Sequence, residues 1–159
     1  MKVKKILKIS GIVAGIAFVL IQFIQPNRSN PPFDPATTMQ AELKIPTNVS
    51  SLLERGCKDC HSNETRWPFY SYIAPVSWLV ADDVKEGRKH MNFSEWGSYK
   101  EKKKIRVVTG IYQEVKDRTM PLPKYVPLHP DAKFTDAERD TLLHWAKSEG
   151  EKMLGGSVE

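Results

Sequence analysis

Cysteine is scarce in this chain: Cys57 and Cys60 are the only two in 159 residues. A structural zinc site normally needs four ligands in paired spacing, and His90, His129 and His144 are scattered singly. No run alternates apolar and polar residues long enough for a convincing strand, and there is no internal repeat or long low-complexity tract, which sets aside a β-rich fold and a repeat array. Acid is absent from the first eight residues, where Lys2, Lys4, Lys5 and Lys8 account for all but one of the net +5 charges. The body therefore lacks the basic footprint of a nucleic-acid partner. With 40% hydrophobic and 27% charged residues, one compact domain plus an appendage is the default.

Charge is missing again from Ile9 to Ile24, a run dominated by Ile, Val, Ala, Leu and Phe directly behind the lysines. This run predicts a membrane-targeting segment. It exceeds the roughly 7–15 residues of a signal-peptide core and falls slightly short of the roughly 17–25 of a spanning helix, a gap that Ile6, Leu7 and a snorkelling Lys8 close. No small-x-small cleavage site follows at Gln25-Pro26-Asn27-Arg28-Ser29-Asn30, which favours an uncleaved anchor over residues 1–25. The positive-inside rule keeps the lysines cytoplasmic and exports the body, so the expected place is the outer side of the cytoplasmic membrane.

Five prolines between Pro26 and Pro46 disfavour regular helix, and residues 26–46 are expected to form an extended tether. Helical signals begin at Thr47. Val49, Leu52 and Leu53 recur at helical spacing. A second helix is predicted from Pro75 to about Arg88, with Val76, Leu79, Val80 and Val84 along one side. A third opens on a Ser98/Glu101 capping box, carries Ile105, Val108, Ile111, Tyr112 and Val115, and stops near Arg118. The last opens on Thr135/Glu138, presents Leu142, Leu143, Trp145 and Ala146, and frays near Gly150. The fold class is all-α, with a domain over 47–154 and a short tail over 155–159.

Cys57-Lys58-Asp59-Cys60-His61 has the Cys-x-x-Cys-His pattern of c-type haem attachment. Two intervening residues let both thiols reach the two vinyl groups of one haem, while the adjacent histidine supplies the proximal iron ligand. Other uses of the pair compete. A thioredoxin-like redox pair would sit in a βαβ setting, unlike these helices and loops. A plain disulfide, the ordinary expectation for two cysteines in an exported chain, would leave His61 unexplained.

A proximal histidine leaves one axial position, and Met120 is its best candidate: prolines at 121 and 123 stiffen its loop, Thr119 adjoins it, and thioether sulfur favours ferrous iron. A lone Met is otherwise core filler. Met91 and His90 are rivals at the end of the second helix, and His129 could ligate only from a loop folded over the haem. Trp67, Phe69, Tyr70, Tyr72, Ile73 and Trp78 form an aromatic-rich stretch expected to shape the haem pocket; Trp67, Tyr70 and Trp78 are the candidates taken forward as cofactor contacts. Arg66 and the two indole donors are candidates for the propionates. The Lys100 to Lys104 cluster reads as a solvated helix face, or as a dock for an acidic redox partner.

The chain resembles the haem-binding domain family of small bacterial c-type cytochrome-like proteins. The likeness runs through Cys57-x-x-Cys60-His61-Ser62-Asn63-x-Thr65-x-Trp67-Pro68-x-Tyr70, Ile73-Ala74-Pro75-x-Ser77-Trp78, Asn92-Phe93-Ser94-x-Trp96, Met120-Pro121, Tyr125, Leu128-His129-Pro130 and Thr135-x-x-Glu138. It spans roughly Ala41 to Lys152 and implies a cytochrome c-like helical fold around one covalent haem. The expected role is an electron carrier, not an enzyme, exchanging single electrons with membrane and periplasmic redox proteins. The alternative is a ligand-binding or sensing haem protein with a displaceable sixth ligand. A peroxidase is a third option, for which no distal acid/base pair stands beside the motif.

Overall fold

The computed structural model describes residues 2–155, and among them every regular element is helical. Seven α-helices run in the order α1 (Lys2–Ile21), α2 (Met39–Leu43), α3 (Thr47–Gly56), α4 (Lys58–His61), α5 (Val76–His90), α6 (Glu101–Lys116) and α7 (Asp136–Gly155), joined through short 3-10 turns. The tail expected over 155–159 lies, beyond Gly155, outside the described residues. Helices α6 and α7 pack along much of their length. Val108, Ile111 and Val115 of α6 meet Leu142 and Ala146 of α7, and Leu53, Phe93 and Trp96 complete one core. Its apolar burial is the main driving force for the fold.

The reciprocal cap at α7 forms as expected. The Glu138 N–H donates to Thr135 Oγ1 (3.2 Å), while the Thr135 N–H donates to Glu138 Oε2 (2.8 Å). Its predicted fraying at Gly150 does not occur, because Gly150 is buried against Thr109 and Val108 of α6 and the helix continues to Gly155. The Ser98 box is absent. Ser98 ends the 3-10 turn Phe93–Ser98 and its hydroxyl donates to Glu95 O at 2.7 Å, so α6 starts after Lys100 with no side-chain cap.

Helix α5 departs from the expected stripe. It buries Ser77, Val84 and Gly87 and leaves Val76 and Leu79 exposed, because its packed face is turned toward α4.

Residues 26–46 are bound to the body instead of forming a free tether. Ahead of the 3-10 turn at Pro35–Thr37, prolines keep this strap out of regular helix, and it is tied to the body by hydrogen bonds given and received. Trp78 Nε1 donates to Ile24 O at 2.7 Å just ahead of the strap, and Arg28 donates to Ser71 O at 3.1 Å. Arg88 donates to Ser29 O at 3.2 Å and to Asn30 Oδ1 at 2.8 Å. Met39 is fully buried in the core, and Glu42 pairs with Lys104 at 2.6 Å. Part of the lysine cluster is thus committed to holding the strap.

No helix among the described residues is long and apolar enough to cross a membrane. Helix α1 carries Lys4, Lys5 and Lys8 within its length and ends at Ile21, leaving Phe23 and Ile24 beyond it.

Candidate functional site

Helix α3 ends on Gly56 and the chain turns at once into α4, a single turn carrying Lys58, Asp59, Cys60 and His61. Glycine at 56 leaves room for the buried Phe134 ring, which a Cβ there would meet at 2.4 Å. His61 is buried, and its Nδ1 lies 2.9 Å from Gly87 O and 3.3 Å from Met91 O. A carbonyl can only accept, so Nδ1 carries the hydrogen and Nε2 keeps the lone pair. That is the tautomer a metal-ligating imidazole needs, with its orientation set by the second acceptor shell. Burial also lowers the pKa of the imidazole, which keeps the ring neutral.

Both thiols are free, and their pKa values are pushed up to about 12, Cys57 by burial and then by Cys60, Cys60 by burial and then by Asp83 and Asp59. They are inert as thiolates at neutral pH and are not poised as a low-pKa redox pair.

The turn is braced from three sides. Thr65 Oγ1 donates to Asp59 O (2.7 Å), Arg88 Nε donates to Ser62 O (2.8 Å), and the Asn63 N–H donates to Ser94 Oγ (3.0 Å). Asn92 Nδ2 donates to Asn63 Oδ1 (2.8 Å), and the Asn92 N–H donates to the Tyr99 hydroxyl (2.9 Å). Buried polar groups satisfied in this way fix one geometry.

These elements border a cavity of about 650 Å³ lined by Cys57, Cys60, His61, Met91, Val107, Ile111, Val115, Met120, Leu122 and Tyr125, a size suited to a cofactor. Gly110 lines it too, with nothing within 4 Å of where its Cβ would sit. A glycine inside a helix costs about 1 kcal/mol relative to alanine, and here it keeps a wall low. Lys89, Lys103 and Arg106 stand on the same lining, as do Glu86, His90 and Glu114.

Met120 reaches the cavity from the turn after α6. Arg118 adopts a left-handed conformation (φ 59°), and the N–H groups of Thr119 and Met120 both donate to Glu114 O, at 3.1 and 3.2 Å. The Thr119 hydroxyl donates to Glu114 O (3.0 Å) and so holds the loop. Cys57, Cys60, His61 and Met120 therefore converge on one space. Of the rival ligands, His90 and Met91 line it as well; His129 does not, its Nδ1 donating to Tyr125 O at 3.1 Å while its ring stacks on Tyr125 at 3.7 Å.

The three aromatic candidates lie elsewhere. Trp67 and Trp78 line a separate cleft beside the strap, where their indole N–H groups donate to Asn30 Oδ1 (3.3 Å) and Ile24 O. The Tyr70 hydroxyl meets His129 Nε2 at 3.3 Å and does not line the cavity. Arg66 is paired with Asp59 at 3.0 Å. Oxygens in and just ahead of the strap take the two indole donors, an effect of tertiary structure that a local aromatic run does not display. The cationic residues at the cavity, Lys89, Lys103 and Arg106, were missed; the only sequence signal was the spacing of Lys103 and Arg106 beside Val107 on one helix.

The donor set fits a haem: a neutral imidazole with its free nitrogen unprotonated, two thiols in the adjoining turn, a thioether from a separate loop and an apolar wall. Comparison with known proteins agrees. The haem-binding domain matches residues 16–148. The cytochrome c peroxidase Ccp of Escherichia coli (strain K12) is 32% identical over 103 residues, a match covering 59% of this chain and 21% of that protein, so the chain spans about a fifth of that relative's length. No solved structure matches the chain. With a match that runs from α1 through the strap and the cavity into α7, the chain belongs to the haem-binding domain family.

Proposed function

We propose that this haem protein is a mono-haem c-type cytochrome that carries single electrons, anchored by α1 in the bacterial cytoplasmic membrane with its body on the periplasmic side. The observation that carries the reading is the His61 tautomer: Nδ1 is committed to the carbonyls of Gly87 and Met91, which leaves Nε2 for iron beside two thiols in the same turn. Cys57 and Cys60 would hold the haem through their sulfurs, and His61 and Met120 would hold its iron. Lys89, Lys103 and Arg106 supply positive charge for the propionates. When bound, the haem iron supplies the one-electron couple.

The chain itself excludes water with Val107, Ile111, Val115 and Leu122 and holds His61 and Met120 on braced turns. A site that needs no rearrangement between oxidation states suits electron transfer. The lysines of α1 and its exposed apolar residues support the anchor, with Lys8 snorkelling and Phe23 and Ile24 extending the apolar path.

Pyridine haemochrome spectra of the denatured protein, together with its intact mass, test the attachment. Two thioether bonds and the added mass of one haem are expected. A mass equal to the polypeptide alone rejects it.

A second reading, a site that takes an exogenous ligand or peroxide, is favoured by Glu86, His90 and Glu114 on the cavity lining and by the peroxidase named among the relatives. Carbon monoxide separates the two. A low-spin spectrum unchanged by carbon monoxide supports the carrier, and a high-spin haem that binds it supports the second reading.

A further inference from the structure

The first half of α5 and the turn before it present an apolar surface that the haem site does not use. Phe69 is 78% exposed and Leu79 60%, and Tyr72, Ile73 and Val76 are exposed with them. No charged residue occurs from Trp67 to Ala81. A contiguous exposed apolar face on a soluble body marks an interaction surface.

Its place in the fold says what it meets. The Gln22 side chain, one residue past the end of α1, donates to Ala74 O (3.0 Å) and accepts from the Ala74 N–H (2.9 Å). Trp78 holds the carbonyl of Ile24, and Arg28 lies 4.3 Å over the Tyr72 ring. The end of α1 is thus tied to Ala74 and Trp78, on either side of Val76, and the exposed Phe23 and Ile24 lie between the apolar side chains of α1 and this face in the chain.

We propose that the face bearing Phe69, Tyr72, Ile73, Val76 and Leu79 docks the haem domain onto the lipid bilayer beside α1. The inference rests on the anchor reading above. Whatever surrounds the apolar end of α1 also reaches this face, because Gln22 fixes the one against the other. Tyr72 and Trp78 are amphipathic rings of the kind that settle at the headgroup level, and Arg28 places a cation at the rim, where lipid phosphates lie. Apolar side chains that gain nothing in water are stabilised by partial insertion, at about 25 cal/mol per Å² of surface removed.

The test uses the full-length, haem-loaded, reduced protein in nanodiscs of equimolar phosphatidylethanolamine and phosphatidylglycerol. Nitroxide labels are placed singly at Phe23→Cys, Leu79→Cys and Lys147→Cys, and each is read by its accessibility to oxygen against a water-soluble nickel chelate. Docking predicts that the labels at 23 and 79 both favour oxygen while that at 147 favours nickel. A label at 23 in lipid with the label at 79 fully open to nickel overturns docking and leaves the anchor standing. Labels at 23 and 79 both open to nickel reject the anchor and docking together. Dipolar broadening between copies at 79 also overturns the proposal, by making the face a contact between two chains. Circular dichroism and the haem spectrum of each labelled protein establish that it is folded.

Discussion

The carbonyl of Gly87 accepts a hydrogen bond from His61 Nδ1 at 2.9 Å, and the place where the Gly87 side chain would begin is already taken by the carbonyl of Cys60, 2.5 Å away. One residue of α5 therefore orients the imidazole and lets the helix approach the turn that bears Cys60 and His61. That approach depends on the absence of a Cβ.

Gly87→Ala is expected to push α5 off the turn. Overpacking of this kind costs about 1–3 kcal/mol. Thermal unfolding of the haem-loaded protein should show a lower midpoint, whereas Gly150→Ala, whose Cβ would meet Thr109 at an ordinary 3.7 Å, should hold or raise stability by up to about 1 kcal/mol. Equal midpoints for the two variants would refute the contrast.

Met120→Ala should abolish the methionine-dependent far-red absorption band and lower the reduction potential, because the thioether favours ferrous iron. Spectra unchanged by the substitution would remove Met120 from the iron and direct attention to His90 or Met91, which share the cavity lining.

Glu138 tests the cap of α7 by pH. Its hydrogen bonds from the Thr135 backbone and hydroxyl hold its carboxyl below the ordinary value. A depressed folded-state pKa contributes stability that is present above the unfolded value of about 4.5 and is lost as pH falls through the folded one. The difference in unfolding midpoint between the natural protein and Glu138→Gln should therefore be present at neutral pH and shrink below about pH 4. Thr135→Ala should cost about 1 kcal/mol as a lost N-cap.

Arg88→Ala removes two hydrogen bonds to the strap, at Ser29 and Asn30. At about 1 kcal/mol for each of these exposed bonds, about 2 kcal/mol together, the population with the strap open should rise by roughly thirtyfold. Thermolysin cleavage between residues 26 and 34 reads that population directly, and an unchanged cleavage rate would mean that the strap is held without Arg88.

Much of the site was legible because its chemistry is local: Cys57, Cys60 and His61 lie in one turn, and Met120 beside Pro121 marks a loop set apart from the helices. The helices α3, α6 and α7 were legible from the spacing of Val49, Leu52, Val108 and Leu142. What could not be read depends on partners distant in sequence. Trp67 and Trp78 carry donors that go to Asn30 and Ile24, and no local pattern pairs them. Val76 and Leu79 satisfy a helical stripe, yet Ser77 and Gly87 face inward because α5 must come close to Cys60. Ser98 has the residue type of a cap, but a preceding 3-10 turn claims its hydroxyl. Prolines in residues 26–46 argue against helix, yet α2 forms over Met39–Leu43 after the last of the clustered prolines, and its docking could not be read at all, since Met39 finds its cover in the core.

The stitched strap has a kinetic consequence. A leash with slack lets its cargo sweep a volume set by contour length, whereas a segment gripped at Ile24, Ser29 and Asn30 adds no reach. The haem cavity then stays at one height and tilt relative to the end of α1. On the proposed carrier reading, electron donors and acceptors would have to come to it, and exchange would be a matter of collision and orientation, insensitive to how many residues lie between Pro26 and Pro46.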